Sequence, residues 1–188
     1  MTDFTTELKP WEKEIVDKYP LIYLEPNPNL RQWYDEESFN KLIKDPNFSN
    51  LRYGFEFGSG WAKLVEEFSD VAQQLILYLR PNGIQSDAYI HSCIFKEKFG
   101  TLNWQGDNNL IEPFKTLFRS YEILIEKKSA TICENTGELG CLCKRGGWYK
   151  TLSYTEGKKD GYTPVSKTDQ EYWKYLDSKM VEVPTANE

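Results

Sequence analysis

Histidine is nearly absent from the sequence: His91 is the only one, so any mechanism needing an imidazole base has a single candidate. It falls in the middle of a β-rich run, where a hydrogen-bonded structural role is commoner than catalysis. Long apolar runs are missing as well. The longest, Leu75 to Leu79, falls far short of the roughly 20 residues of a membrane span, and the first residues (MTDFTTELKPWEKE) carry acids and no apolar leader segment. These absences lead us to expect a cytoplasmic chain with no membrane contact. Its four cysteines are then expected to stay reduced, because disulfides belong to oxidising compartments.

Catalytic signatures are also lacking. There is no G-x-S-x-G elbow, no Walker loop and no dinucleotide fingerprint. Cys133, Cys141 and Cys143 are separated by seven residues and by one, which is not the paired C-x2-4-C spacing of structural zinc sites, and a fourth ligand would have to come from Cys93. Buried thiols are the simpler reading, with no metal and no cofactor. Glu66, Glu67 and Asp70 fall on the polar side of a helical pattern, where solvated charge is the default rather than a catalytic pair.

Aromatic residues, by contrast, are plentiful. Six Trp, twelve Tyr and ten Phe make up 15% of the chain, which argues against disorder, since disordered chains lack the apolar surface that offsets ordering entropy. A chain of 188 residues buries roughly 70% of its unfolded surface. No repeat, low-complexity tract or linker divides it, so residues 1–188 read as one domain, with 1–8 and 181–188 as loose ends.

The elements follow from periodicity. Trp11, Ile15 and Val16 suit a short helix from Pro10 to Lys18, and LIYLEPNPN reads as a short strand running into a loop. Asp35 is placed to cap a helix over Glu36 to Lys44. The strongest pattern is Trp61, Leu64, Val65, Phe68, Ala72, Leu75, Ile76 and Leu79, the apolar stripe of a long helix with Ser59 as its cap and Pro81-Asn82-Gly83 as its end. Ala88 to Phe95 and Thr101 to Gln105 read as a hairpin around EKFG. A second core helix carries Leu110, Phe114, Leu117, Phe118, Tyr121 and Ile125. Short strands at CLCK and GWYKTLS form a Gly-rich hairpin, and a last helix spans Lys167 to Lys179. The expected fold is α+β: two long amphipathic helices on a small antiparallel sheet, followed by the C-terminal hairpin.

Charge is uneven. Up to Asp70 there are fourteen acidic against eight basic residues, and from residue 95 onward fourteen of each. Within the balanced part, Lys144, Arg145, Lys150, Lys158 and Lys159 outnumber Glu156 and Asp160, a basic patch that could face an anion or be ordinary solvated lysines. The turn Gly58-Ser59-Gly60 before Trp61 has the makings of an anion site at a helix N-terminus; tight chain reversal is its plainer explanation.

Several ordered blocks stand out: Tyr53-Gly54-Phe55-Glu56-Phe57-Gly58-Ser59-Gly60-Trp61, Lys96-Glu97-Lys98-Phe99-Gly100-Thr101-Leu102, Cys133-Glu134 with Gly137 and Gly140, and Gly146-Gly147-Trp148-Tyr149-Lys150-Thr151-Leu152. Over roughly residues 53 to 153 they resemble a family of small proteins of bacteria and phages that has no assigned activity and carries G-F-E-x-G-x-G-W, K-E-K-F-G-x-L, C-x-x-C-G and G-G-W-x-x-T-L-C motifs. The family's cysteines imply a zinc knuckle, but here Thr136 and Ser153 occupy two of the cysteine positions, so the resemblance implies the fold without the metal.

Three functional expectations follow. The first is a non-catalytic binding protein that contacts another protein, of the phage or prophage type that inhibits a bacterial defence system. Trp33, Tyr34, Trp148 and Tyr149 would be its aromatic anchors, although core packing is the commoner role of such residues and the expected one for Trp148. The second is nucleic-acid binding by Lys144, Arg145 and Lys150, with Trp148 or Tyr149 stacking on a base. The third is an enzyme using the Gly58 to Trp61 turn as a phosphate cradle with Glu56 or His91 as base.

Overall fold

A computed structural model describes residues 7–45, 48–51 and 53–181; of Trp33, Met180 and Val181 the side chains lie outside the described residues. In chain order the elements are α1 (Pro10–Lys18), α2 (Pro20–Tyr23), a 3-10 helix (Pro28–Trp33), α3 (Glu36–Ile43), β1 (Phe55–Glu56), α4 (Ala62–Leu79), β2 (Ile90–Lys98), β3 (Thr101–Asn108), α5 (Phe114–Ser129), β4 (Cys141–Arg145), β5 (Trp148–Leu152), α6 (Tyr154–Lys159), β6 (Thr163–Pro164) and α7 (Lys167–Val181). The architecture is α+β, as the periodicities implied.

Two three-stranded sheets organise the chain, in the orders β1-β2-β3 and β5-β4-β6. The first is mixed rather than purely antiparallel, because β1 pairs parallel to β2 through Phe55 opposite Phe95. Antiparallel β2 and β3 meet at a two-residue turn, Phe99-Gly100, shorter than the EKFG loop expected from the sequence. A register shift between Ser92 and Ile94 leaves Cys93 on a bulge.

The long helix α4 buries Leu64, Val65, Phe68, Ala72, Ile76 and Leu79, with Leu75 packed at the margin of the core. Ser59 does not cap it. Ser59 to Trp61 instead form one 3-10 turn leading into α4, and no side chain caps the helix at Trp61. At the centre of the core the Phe68 ring meets Phe95 at 5.3 Å, Trp104 at 5.2 Å and Phe118 at 5.3 Å. Helix α5 contributes Phe118 and Ile125, but Leu117, expected on the same stripe, is 63% exposed. Successive helical residues are about 100° apart, so Leu117 sits a quarter turn or more away from Phe118.

The expected strand over LIYL is helix α2. Pro20 at its first position needs no N–H partner and has its φ preset for a helix. The turn puts Tyr23 inside, 2.6 Å from the Ser69 hydroxyl. Leu8, expected in a loose end, packs against this core. A second, smaller core gathers Cys133, Cys143, Leu152, Tyr162 and Trp173 between the second sheet and α7.

Candidate docking surface

The hairpin β4–β5 turns through Gly146 and Gly147. Gly146 has φ of +59°, a conformation in which glycine avoids the Cβ clash, and a Cβ added at either residue would stand in open space. Trp148, immediately after the turn, is 75% exposed, and Lys144, Arg145 and Tyr149 are exposed too. A loop tip in open solvent thus presents an indole, which is costly in water and effective in an interface.

The other hairpin comes to the same place. Its turn residue Gly100 lies against Leu142 and the Lys150 backbone, and the Thr151 hydroxyl donates to the Gly100 carbonyl at 2.6 Å. Phe99, beside Gly100, is therefore held next to the β4–β5 sheet. It is 72% exposed and has φ of +54°. A bulky side chain in that region is an outlier, since Cβ crowds the following carbonyl at a cost of roughly 1–2 kcal/mol. Phe99 and Tyr149 are carried by two hairpins locked to each other, Tyr149 sharing the sheet face of Leu142 and Thr151 that Gly100 touches, while Trp148, the preceding residue of β5, projects from the opposite face at the hairpin tip. The sequence reading marked Trp148 and Tyr149 and missed Phe99. Its signal was the F-G dipeptide between two strand runs, where asparagine or glycine would be ordinary before glycine.

Four of the five cations assigned to the basic patch are committed internally. Lys150 pairs with Glu134, whose side chain is only 2% exposed, and burial pushes that carboxyl upward in pKa despite the ammonium beside it. Arg145 donates to the Asp160 carbonyl at 2.6 Å and lies over the Tyr162 ring at 4.8 Å. Lys158 pairs with Asp177, and Lys159 with Glu156. Among the described residues Lys144 has no ion pair. The patch is thus mostly neutralised, which the charge pattern did not foretell.

The Gly58-Ser59-Gly60 turn is not an anion cradle. The Gly60 amide donates to the Glu134 carbonyl at 2.8 Å, and the Trp61 amide to the Gly58 carbonyl at 3.2 Å. A Cβ on Gly60 would meet the Cys133 carbonyl at 2.3 Å and the Gly137 amide at 2.4 Å, so the glycines are there for close backbone approach. The Trp61 indole completes the clasp by donating to the Ile132 carbonyl at 2.6 Å. Tyr34 is half-buried directly after the 3-10 helix, on an element separate from the hairpins, and the Trp33 side chain lies outside the described residues.

His91 is fully buried, its ring stacked on Tyr89 at 4.8 Å and 13°, and among the described residues neither nitrogen has a hydrogen-bond partner. The expected hydrogen-bonded role is therefore corrected to that of an unpartnered ring. Burial lowers its pKa to about 4, with Glu25 and Asp107 pulling it up and Arg80 adding to the depression. Glu56, on β1, is exposed.

The cysteines divide similarly. Burial raises the Cys133 thiol, but hydrogen bonds from the Thr136 hydroxyl and from the amides of Ser153, Thr136 and Asn135 outweigh it and leave its pKa below the ordinary value. Thr136 and Ser153 thus do converge on Cys133, without thiols of their own. Among the described residues no group of three or more His, Cys, Asp or Glu could hold a metal ion. No helix is long and apolar enough to cross a membrane among those residues. No family model, curated protein or solved structure matches the chain.

Proposed function

We propose that the chain is a non-catalytic binding protein that docks on another protein through Phe99, Trp148 and Tyr149. The observation carrying this reading is Phe99: a large apolar side chain in a left-handed turn position, 72% exposed, is unfavourable both in backbone and in hydration. Both penalties are offset if a partner covers the ring. Rigid aromatics lose little conformational entropy on binding and are enriched at interface centres. Together with the resemblance to proteins of bacteria and phages, this supports an inhibitor of a bacterial defence system acting by protein contact.

Nucleic-acid binding by the same hairpin is the second reading, favoured by Lys144, which has no ion pair among the described residues and lies opposite Tyr149 across the β4–β5 ladder. Against it stand the internal commitments of Lys150, Arg145, Lys158 and Lys159, and the net charge of −6. A gel shift with labelled single and double strands at about 50 mM salt, where phosphate contacts remain strong, separates the two. No binding is expected. Micromolar binding that is lost when Lys144, Arg145 and Lys150 are charge-reversed, with folding confirmed, would replace the first reading by the second.

A further inference from the structure

Helix α4 runs out through Arg80-Pro81-Asn82-Gly83-Ile84. The Ile84 amide donates to the Leu79 carbonyl at 3.2 Å and the Gly83 amide to the Arg80 carbonyl at 3.2 Å, with Gly83 at φ of +66°; these are the two bonds and the left-handed glycine of a Schellman termination. Asn82 adds a third bond, its side-chain Nδ2 donating to the Tyr78 carbonyl at 2.7 Å. The last carbonyls of a helix lack intrahelical partners and carry the negative end of its dipole, so a neutral donor suits this position. The same end is a junction. The Gln85 amide donates to the Leu79 carbonyl at 3.3 Å, and the Gln85 side chain donates to the Asn109 carbonyl at 2.9 Å and accepts from the Ile111 amide at 3.1 Å, which ties the end of α4 to the segment between β3 and α5.

Asn82-Gly83 is the one Asn-Gly pair in the sequence; each other asparagine precedes a residue whose side chain crowds the backbone nitrogen that follows it. Both residues are exposed, and a Cβ added at Gly83 would stand in open space. We propose that Asn82 is a site of spontaneous deamidation and that the acid formed there uncaps α4. The Gly83 nitrogen gives its proton to solvent base and attacks Asn82 Cγ; the N–Cγ bond forms, the Cγ–Nδ2 bond breaks, and Nδ2 leaves as ammonia with a proton from water. Water then opens the succinimide at either carbonyl, giving aspartate or isoaspartate, with nothing oxidised or reduced. The bonds that hold the two groups apart, Gly83 to Arg80 and Asn82 to Tyr78, lie in the last turn at the surface, where helices fray. Either product exchanges the amide donor for a carboxylate, which cannot donate to the Tyr78 carbonyl and is repelled by the negative end of the dipole.

The test is incubation of the full chain in warm, mildly alkaline buffer, followed by peptide mass mapping and enzymatic methylation of isoaspartate. Residue 82 should convert before any other asparagine, and faster as pH rises, because the attacking nitrogen must lose its proton. Gly83→Asn tolerates the positive φ but crowds that nitrogen, and should slow conversion at residue 82 by about tenfold or more, equal to about 1.4 kcal/mol on the barrier. In the converted chain, separated by ion exchange, the Ile84 and Gln85 amides should exchange their hydrogens about two- to fivefold faster than in the intact chain, the size of an unfavourable charge at a helix end. Asn82→Asp should behave like the converted chain. Residue 82 left unconverted while other asparagines react, an unchanged rate in Gly83→Asn, or equal exchange in the intact and converted chains would overturn the inference.

Discussion

Phe99 shows most directly how a single residue can be set against the stability of its own turn. Asparagine tolerates a positive φ and is the usual partner of glycine in such a turn. Phe99→Asn should therefore raise stability by about 0.5–1 kcal/mol, read as a shifted urea midpoint at unchanged slope, while abolishing partner binding. Destabilisation would mean that the ring packs in solution. His91 makes the opposite kind of statement. Its ring stays neutral down to about pH 4 in the folded chain, whereas an ordinary imidazole takes its proton near 6.5. Between those values the unfolded chain binds more protons, so the contribution is fully present above about pH 6.5 and is lost as pH falls toward 4. The loss amounts to on the order of 3 kcal/mol over the interval. Urea unfolding at pH 7 and pH 4.5 should show that slope in the wild type and a flatter one in His91→Phe. Equal slopes would mean that the buried ring finds a partner.

The long elements were legible from the sequence because helical periodicity is a local property. α4 stands where Trp61 to Leu79 put it, whereas α5 begins at Phe114, after Leu110 and Pro113, which the periodicity places inside it; Phe68→Ala, which strips a ring packed against three other aromatics, should cost about 3–5 kcal/mol by chemical denaturation. A loss below 1 kcal/mol would contradict that packing. The short elements were not legible, for physical reasons. LIYL has the composition of a strand, and only Pro20 and the burial of Tyr23 against Ser69 make it helical. α6 has no apolar period, being six residues capped by Ser153. The parallel pairing of β1 depends on a register with Phe95, forty residues away, that no local pattern encodes. The site divides along the same line. Trp148 and Tyr149 could be marked from the Gly-Gly turn, whereas Lys150 was assigned to a ligand because its partner Glu134 is brought to it by the fold. Lys150→Ala should destabilise by about 3 kcal/mol, since it strands a buried carboxylate, while Lys144→Ala should stay within about 0.5 kcal/mol. Similar losses in both variants would return Lys150 to the surface.

On the scale of the whole molecule, two cores are joined by backbone. The clasp of Gly58 to Trp61 against Ile132 to Gly137, and of Gly100 against Leu142 and Thr151, fixes the second sheet to the first. The two hairpins that carry Phe99, Tyr149 and Trp148 are therefore preorganised, and little ordering remains to oppose binding. The direct test is affinity capture from a bacterial lysate with three forms of the chain: wild type, Phe99→Ser/Trp148→Ser, and the exposed control Leu117→Ser, with captured proteins quantified by mass spectrometry. One partner should be retained by the wild type and by Leu117→Ser and lost from the double variant by about tenfold or more, each 1.4 kcal/mol of lost contact being a factor of ten. Equal retention by the double variant, or loss in Leu117→Ser, would contradict the docking surface proposed for the two hairpins.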